Sequence, residues 1–353
     1  MCTEEKVDIR SLNYIELEDF VVNTLKEPKF RAKQLYEWIH VHLADSLDEM
    51  TNIPKSLKEK LSNNCDFRRL EQYDLQVSKI DGTRKYLFKL CDGQFVESVW
   101  MSYKHGNSVC ISSQVGCKMG CRFCASTLDG WLRNLTPAEM LGQIYAISKD
   151  TGERVSNVVV MGTGEPMDNY DNIVKFVRLL SDEKGLNISQ RNITVSTCGI
   201  VPRIKQLADE DLAITLAISL HAPNQKKRAE LMPIANKYSI TELIEACKYY
   251  FEKTKRRITF EYSLVGGVND TDEDARELGN LIKDINCHVN LIPVNPIKER
   301  DFVSPSQERA FAFQKKIEKY VNNVTIRREM GRDIDGACGQ LRKRHIDALE
   351  GNS

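Results

Sequence analysis

Three cysteines fall within eight positions, Cys117, Cys121 and Cys124, in the run QVGCKMGCRFCAST (114–127). Thiolates at CxxxCxxC spacing on one short loop suit a metal centre. A structural zinc site needs four ligands; no fourth Cys or His sits at suitable local spacing, although one brought from afar would complete the set. Thiolates also hold iron–sulfur clusters, and a [4Fe–4S] cube held at three irons leaves the fourth open to another ligand. The rest of the chain gives no sign of a disulfide framework. MCTEEKVDIR is too charged for a signal peptide, and the longest apolar stretch, LAITLAISL (212–220), is too short to span a bilayer. The expected compartment is therefore the cytoplasm, with no membrane association. There eleven cysteines should stay reduced, so a dense group reads as metal-binding or catalytic.

The elements around this loop follow an α/β pattern. From about residue 109, β-branched runs alternate with helical periodicity: VCIS (109–112), NVVVM (157–161), NITVS (192–196), ITLAIS (214–219), RITFEY (257–262) and HVNLI (288–292). Helices are expected over 136–150, 171–182, 240–253, 271–285 and 304–320. The first of these opens with Thr136, Pro137 and Glu139, a capping box with proline at the first helical position. Six strand–helix units predict parallel strands with right-handed crossovers, a full or partial (β/α)6 barrel whose chemistry gathers at the C-terminal strand ends. The cysteine loop directly follows the first of these strands. Residues 1–75 read as a small helical N-terminal domain. Residues 76–108 read as a β-extension with an Asp92-Gly93 turn, and 109–345 as the barrel with a C-terminal loop.

At 353 residues and 41% hydrophobic composition the chain can bury a large core. Its 50 basic and 50 acidic residues cancel, so net charge alone gives no reason to invoke nucleic acid. Locally, residues 222–257 carry nine Lys or Arg against four acids. That stretch permits a polyanion-facing surface and equally an ordinary solvated helix face.

An open iron can chelate the amino and carboxylate groups of S-adenosylmethionine, pass an electron into the sulfonium and release a 5′-deoxyadenosyl radical. The CxxxCxxC spacing resembles the hallmark of the radical S-adenosylmethionine enzymes. The resemblance continues along the barrel: GTGEPM (162–167) after the second strand, Ser196 after the third, SLHAP (219–223) after the fourth and Asn295 after the sixth. Longer motifs narrow it. SSQVGCKMGCRFCAST, GEPMDN, SLHAP, LIPVNP, GRDIDGACGQL (331–341) and FRAKQLYEWIH are together similar to the RlmN/Cfr family of RNA adenine methyltransferases, over nearly the whole chain.

That resemblance implies a set of roles. Cys117, Cys121 and Cys124 would hold the cluster, while Gly164, Glu165, Ser196, Ser219, Leu220, His221 and Asn295 would contact S-adenosylmethionine. Adenine C2 is electron-poor and cannot attack a sulfonium methyl directly. In the family, a cysteine matched here by Cys338 therefore first becomes S-methylcysteine, and a second S-adenosylmethionine then supplies the radical that activates its methyl group. After addition to C2, Glu97 matches the proton acceptor and Cys110 the thiol that frees the product by a transient disulfide with Cys338. Two S-adenosylmethionine molecules are consumed per turnover. Taken alone, Glu97 reads as a surface strand residue and Cys110 as a buried one.

The implied partners are 23S rRNA at adenine 2503, tRNA at adenine 37, and an electron donor such as flavodoxin or ferredoxin, with the protein itself a monomer. Both RNA sites are loops where a base can be splayed out, and the helical N-terminal domain and residues 222–257 are the candidate grip. Two other readings stand beside this one. The first is Cfr-type methylation at C8, and the second is a non-catalytic, metal-stabilised RNA-binding protein.

Overall fold

The computed structural model describes residues 6–349 and 351, apart from 68, 105, 297–299 and 336–338. The N-terminal elements are β1 (Val7–Asp8), α1 (Tyr14–Asp19), α2 (Phe30–His40), α3 (Lys55–Asn64) and β2 (Cys65–Asp66). They enclose their own apolar core, in which Leu17, Leu35, Ile39, Leu57 and Leu61 are fully buried. Next, β3 (Glu71–Val77), β4 (Arg84–Lys89) and β5 (Phe95–Tyr103) form an antiparallel meander running into β6 (Gly106–Ile111). Gly93, at φ +84°, supplies the left-handed residue of the expected turn between β4 and β5. A separate ribbon of β7 (Gln114–Gly116) and β8 (Trp131–Asn134) brackets the cysteine loop.

The chain then alternates: α4 (Pro137–Thr151), β9 (Val155–Val160), α5 (Tyr170–Ser181), β10 (Ile193–Thr197), α6 (Val201–Ala208), β11 (Thr215–Ser219), α7 (Gln225–Leu231), α8 (Ile240–Thr254), β12 (Ile258–Leu264), α9 (Asp272–Ile282), β13 (Cys287–Pro293), α10 (Gln307–Ile317), β14 (Val324–Ile326) and α11 (Gln340–Leu349). All ten long-sheet strands lie in the order β14-β13-β12-β11-β10-β9-β6-β5-β4-β3. From β6 to β14 every neighbouring pair is parallel. The six expected barrel strands are β6, β9, β10, β11, β12 and β13. The elements not foreseen include the short helices α6 and α7, the C-terminal α11, the β7–β8 ribbon and the three-residue edge strand β14.

The capping box at Thr136 and Glu139 opens α4 as its sequence requires, and Gly152 closes the helix at φ +66°. Thr271 with Asp274 starts α9 in the same way. The N-terminal unit docks on α4 and α5: His40 Nδ1 lies 2.6 Å from the Tyr145 hydroxyl, Tyr36 donates to Asp182 at 2.9 Å, and Lys149 pairs with Asp45 at 2.6 Å. Among the described residues no helix is long and apolar enough to cross a membrane.

Parallel strands covered on both faces usually read as continuous apolar runs, but these alternate. Val109, Ile111, Val158, Val160, Val195, Ile218, Phe260 and Leu291 fill the core beneath the helices. The opposite face of the same strands carries Cys110, Ser196, Ser219, Glu261, Ser263 and Asn290. A polar inner face is not accounted for by packing and would offer hydrogen-bond partners to a ligand.

Candidate active site

The cysteine loop is held from both sides. The Cys117 N–H donates to the Gly130 carbonyl at 2.8 Å, and the Thr127 hydroxyl donates to the Cys124 carbonyl at 2.9 Å. Cys117 and Cys121 are buried, while Cys124 is partly open. Burial pushes the Cys117 thiol up to about 12, and the neighbouring Cys124 charge adds to it. Cys121 is raised by burial first, then by the charges of Cys124 and Cys117. Thiols whose ionisation is disfavoured by burial, as at Cys117 and Cys121, suit a strongly cationic centre that draws off their protons on binding. Among the described residues no three Cys, His, Asp or Glu side chains gather as the shell of a single metal ion.

Next to this loop lies the turn after β9. Gly164, at φ +110°, cannot be replaced without collision: a Cβ there would stand 2.6 Å from Gln114 Cβ and 2.8 Å from its backbone nitrogen. Gln114 accepts from the Glu165 N–H at 2.8 Å, and Ser126 Oγ lies 3.3 Å from Thr163 Oγ1, so the two loops are locked together. The Glu165 carboxylate accepts from the Thr197 hydroxyl (2.6 Å), the Cys198 N–H (2.8 Å) and the Met167 N–H (3.0 Å). With burial raising its pKa against these donors, Glu165 braces the ends of β9 and β10.

The remaining cofactor candidates converge from the neighbouring strand ends. Ser196 and Ser219 hydroxyls lie 3.5 Å apart on β10 and β11. His221 takes a left-handed φ of +56°, and its Nδ1 accepts from the Ser263 N–H at 2.9 Å, so the neutral ring carries its proton on Nε2. Burial, followed by the Arg228 charge, lowers its pKa to about 3. Phe123, between two of the cysteines, meets the His221 ring edge-on with centroids 4.8 Å apart. Leu220 is wholly buried in the core beneath, and Asn295 is exposed just beyond β13.

Glu97 is no surface residue: it is 4% exposed, because the chain's C-terminal segment covers it. Its carboxylate accepts the Gly339 N–H on Oε2 and the Arg342 N–H on Oε1, each at 2.6 Å, and pairs with Lys85 at 3.1 Å. Val99 on β5 is directly opposite Cys110 on β6, so Glu97, two residues from Val99, shares a face with Cys110. Cys338 lies outside the described residues; Gly339 is next in sequence. Farther along the same segment, Asp333 accepts from the Ser78 hydroxyl at 2.6 Å, and Asp335 accepts from the Gln76 amide at 3.0 Å. The segment is thus fastened along the edge strands.

The basic run 226–228 turns inward in part. Arg228 is fully buried, and Lys227 pairs with the buried Asp274 at 2.6 Å. Arg228 therefore presents no open face to a polyanion, whereas Lys226 is exposed and Lys227 half-buried. The sequence reading also missed Lys85, which strand alternation does place on the Glu97 face, and Glu261 with its partner Asn290 at 2.8 Å.

Two sequence families match this chain: the radical SAM superfamily over residues 111–282, and the ribosomal RNA large subunit methyltransferase N-terminal domain over 7–66. A probable dual-specificity RNA methyltransferase RlmN from Lachnospira eligens is 64% identical, over 97% of this chain and 98% of that protein. One of the same description from Alkaliphilus oremlandii is 53% identical over 97% of this chain and 99% of that protein. Among solved structures, a radical SAM methyltransferase from Sphaerobacter thermophilus superposes with a TM-score of 0.90 at 42% identity, covering 95% of this chain and 98% of that one. A cysteine loop over a polar barrel face, matched end to end by such relatives, has one explanation: the chain belongs to the RlmN family of radical S-adenosylmethionine RNA methyltransferases.

Proposed function

We propose that the protein methylates C2 of adenine 2503 in 23S rRNA and of adenine 37 in tRNA, with Cys338 as methyl carrier. Membership of the family implies a [4Fe–4S] cluster and S-adenosylmethionine. When bound, these supply the one-electron chemistry that an electron-poor ring carbon demands. Cys117, Cys121 and Cys124 would hold the cluster. The Gly164–Glu165 turn, Ser196, Ser219, His221 and Asn295 would orient the sulfonium compound, two molecules of which are spent per methyl group delivered. Cys338 accepts a methyl group as a nucleophilic thiolate, so its sulfur becomes linked to the adenine once the new carbon–carbon bond exists. Glu97 then removes the C2 proton while the odd electron of the adduct passes to a one-electron acceptor; the Cys110 thiolate attacks the Cys338 sulfur, the carbon–sulfur bond breaks with its electron pair going to the methylene carbon, and that carbon takes up a proton to complete the methyl group, leaving a disulfide that an external reductant reopens.

The observation that carries this reading is the enclosure of Glu97. A carboxylate is placed on the face of Cys110, sealed from solvent, and hydrogen-bonded to the residue after Cys338. Its described partners are all donors, which fix the orientation of the carboxylate on that face. The relatives' own description as dual-specificity enzymes supports two RNA substrates. We assign residues 1–75 to RNA binding, 76–108 to the covering strands and 109–345 to catalysis, in a protein that acts in the cytoplasm as a monomer with a flavodoxin- or ferredoxin-type donor. The test is a nucleoside digest of 23S rRNA and tRNA from cells relying on this protein for the modification. The expected product is 2-methyladenosine in both; 8-methyladenosine would instead mean the Cfr-type reaction.

A further inference from the structure

Arg228 is buried beside the cysteine loop and takes no part in the chemistry above. It lies on α7 with no exposed surface, an environment that penalises a guanidinium unless an anion offsets its charge. One nitrogen, Nη2, donates to the Cys198 carbonyl at 2.6 Å and more loosely to the Ser219 carbonyl at 3.5 Å. Nε and Nη1 have no hydrogen-bond partner though both are buried. A buried cation with two unused donors is costly to hold in the interior.

Its surroundings identify the missing anion. Cys121 and Cys198 share an apolar cluster with Leu231 and Met232, the residues that end α7, and the Arg122 N–H donates to the Leu231 carbonyl at 2.9 Å. The cysteine loop is therefore packed onto the helix that carries Arg228.

We infer that Arg228 is the fixed counter-charge of the cluster held by Cys117, Cys121 and Cys124, a positioning residue that sets how readily that centre is reduced. The inference rests on the cluster reading above. Reduction adds one electron from a low-potential one-electron donor, no atom leaves, and the thiolate-bound centre becomes one charge more negative. A buried positive charge nearby stabilises that reduced form more than the oxidised one.

The experiment uses the full chain, reconstituted anaerobically with iron and sulfide, and follows its reduction by electron paramagnetic resonance in a redox titration with dithionite. Arg228→Gln keeps a donor but loses the charge, whereas Arg228→Lys keeps the charge but loses the planar fork. At a fixed applied potential and equal cluster content, the Gln variant is expected to show a reduced-to-oxidised ratio about tenfold below wild type, and the Lys variant a ratio near wild type. A Gln variant that titrates with wild type overturns the inference, even while the cluster reading stands. If the Gln variant takes up no cluster, the Lys variant decides. Loading and titrating like wild type supports the inference, and failing likewise overturns it, because the fork rather than the charge would then matter. A wild-type chain that binds no [4Fe–4S] centre sinks the cluster reading itself, and this inference with it.

Discussion

Lys85 and Glu97 are diagonal neighbours on one face of the β4–β5 pair, with Nζ 3.1 Å from Oε2 at side-chain exposures of 0% and 4%. Lys85 also donates to the Asp335 carbonyl at 2.5 Å, so one ammonium joins the proposed proton acceptor to the segment that covers it. Breaking such a pair from one side strands the other charge in the interior. Lys85→Met should therefore destabilise the protein by about 3–5 kcal/mol, whereas adding Glu97→Gln to it should recover a large part of the loss. Urea denaturation of the two variants beside wild type measures both. Equal stability of the single and double variants would show that Lys85 supports the fold without regard to Glu97.

The shared face of Glu97 and Cys110 gives a chemical prediction. Without the resolving thiol the linked intermediate has no exit, so Cys110→Ala purified from cells with intact RNA substrate should carry covalently attached RNA. Cys338→Ala should carry none and form no methylated adenine. Denaturing electrophoresis with and without nuclease reads the adduct. Clean, RNA-free Cys110→Ala protein with full product formation would remove Cys110 from the mechanism.

The strands of the parallel sheet were legible because each is a β-branched run, and Thr136, Pro137 and Glu139 announce α4 before any apolar periodicity is needed. What escaped was short or remote. With eight residues, α6 offers barely two turns of periodicity, and β14 is only Val324–Ile326, held by pairing with β13. The burial of Lys85 could not be read locally. In RKYLFK, Tyr86 and Phe88 claim the helix-facing core, and the face left to Lys85 looks solvent-bound until Glu97 and Asp335 are brought over it. Arg228 misled for the same reason, since a KKR run gives no hint that its third member turns into the interior.

Gly339 of the covering segment packs against Ala125 and Ser126, just after the cysteine loop. At φ +84° its missing side chain would stand 2.7 Å from the Ser126 nitrogen and 2.9 Å from Ser126 Oγ. Gly339→Ala must move either the segment or the loop, and the 2.6 Å bond to Glu97 is lost with it. Methylation should drop by about tenfold or more, as for a catalytic group displaced by about an ångström. Proteolytic cleavage of the C-terminal segment should rise in step. Unchanged protease resistance together with unchanged product formation would show that this contact positions nothing.

Glu261 carries the pH dependence. It lies inside the barrel at 5% exposure, its carboxylate met by the Asn290 amide at 2.8 Å, and burial raises its pKa from 4.5 to about 6, with Arg327 acting in the opposite direction. A carboxyl group whose pKa is higher folded than unfolded binds more protons in the native state between those two values. Its contribution to stability is therefore complete below about pH 4.5 and is lost as pH rises through about 6, a change of about 2 kcal/mol. Glu261→Gln keeps the shape and an acceptor for Asn290 but cannot ionise, so the stability difference between wild type and variant should move against wild type from pH 4.5 to pH 7.5. Denaturant unfolding at both pH values measures it. A difference that stays constant, or moves in favour of wild type, would mean that Glu261 finds in the folded chain a cationic partner strong enough to cancel its burial.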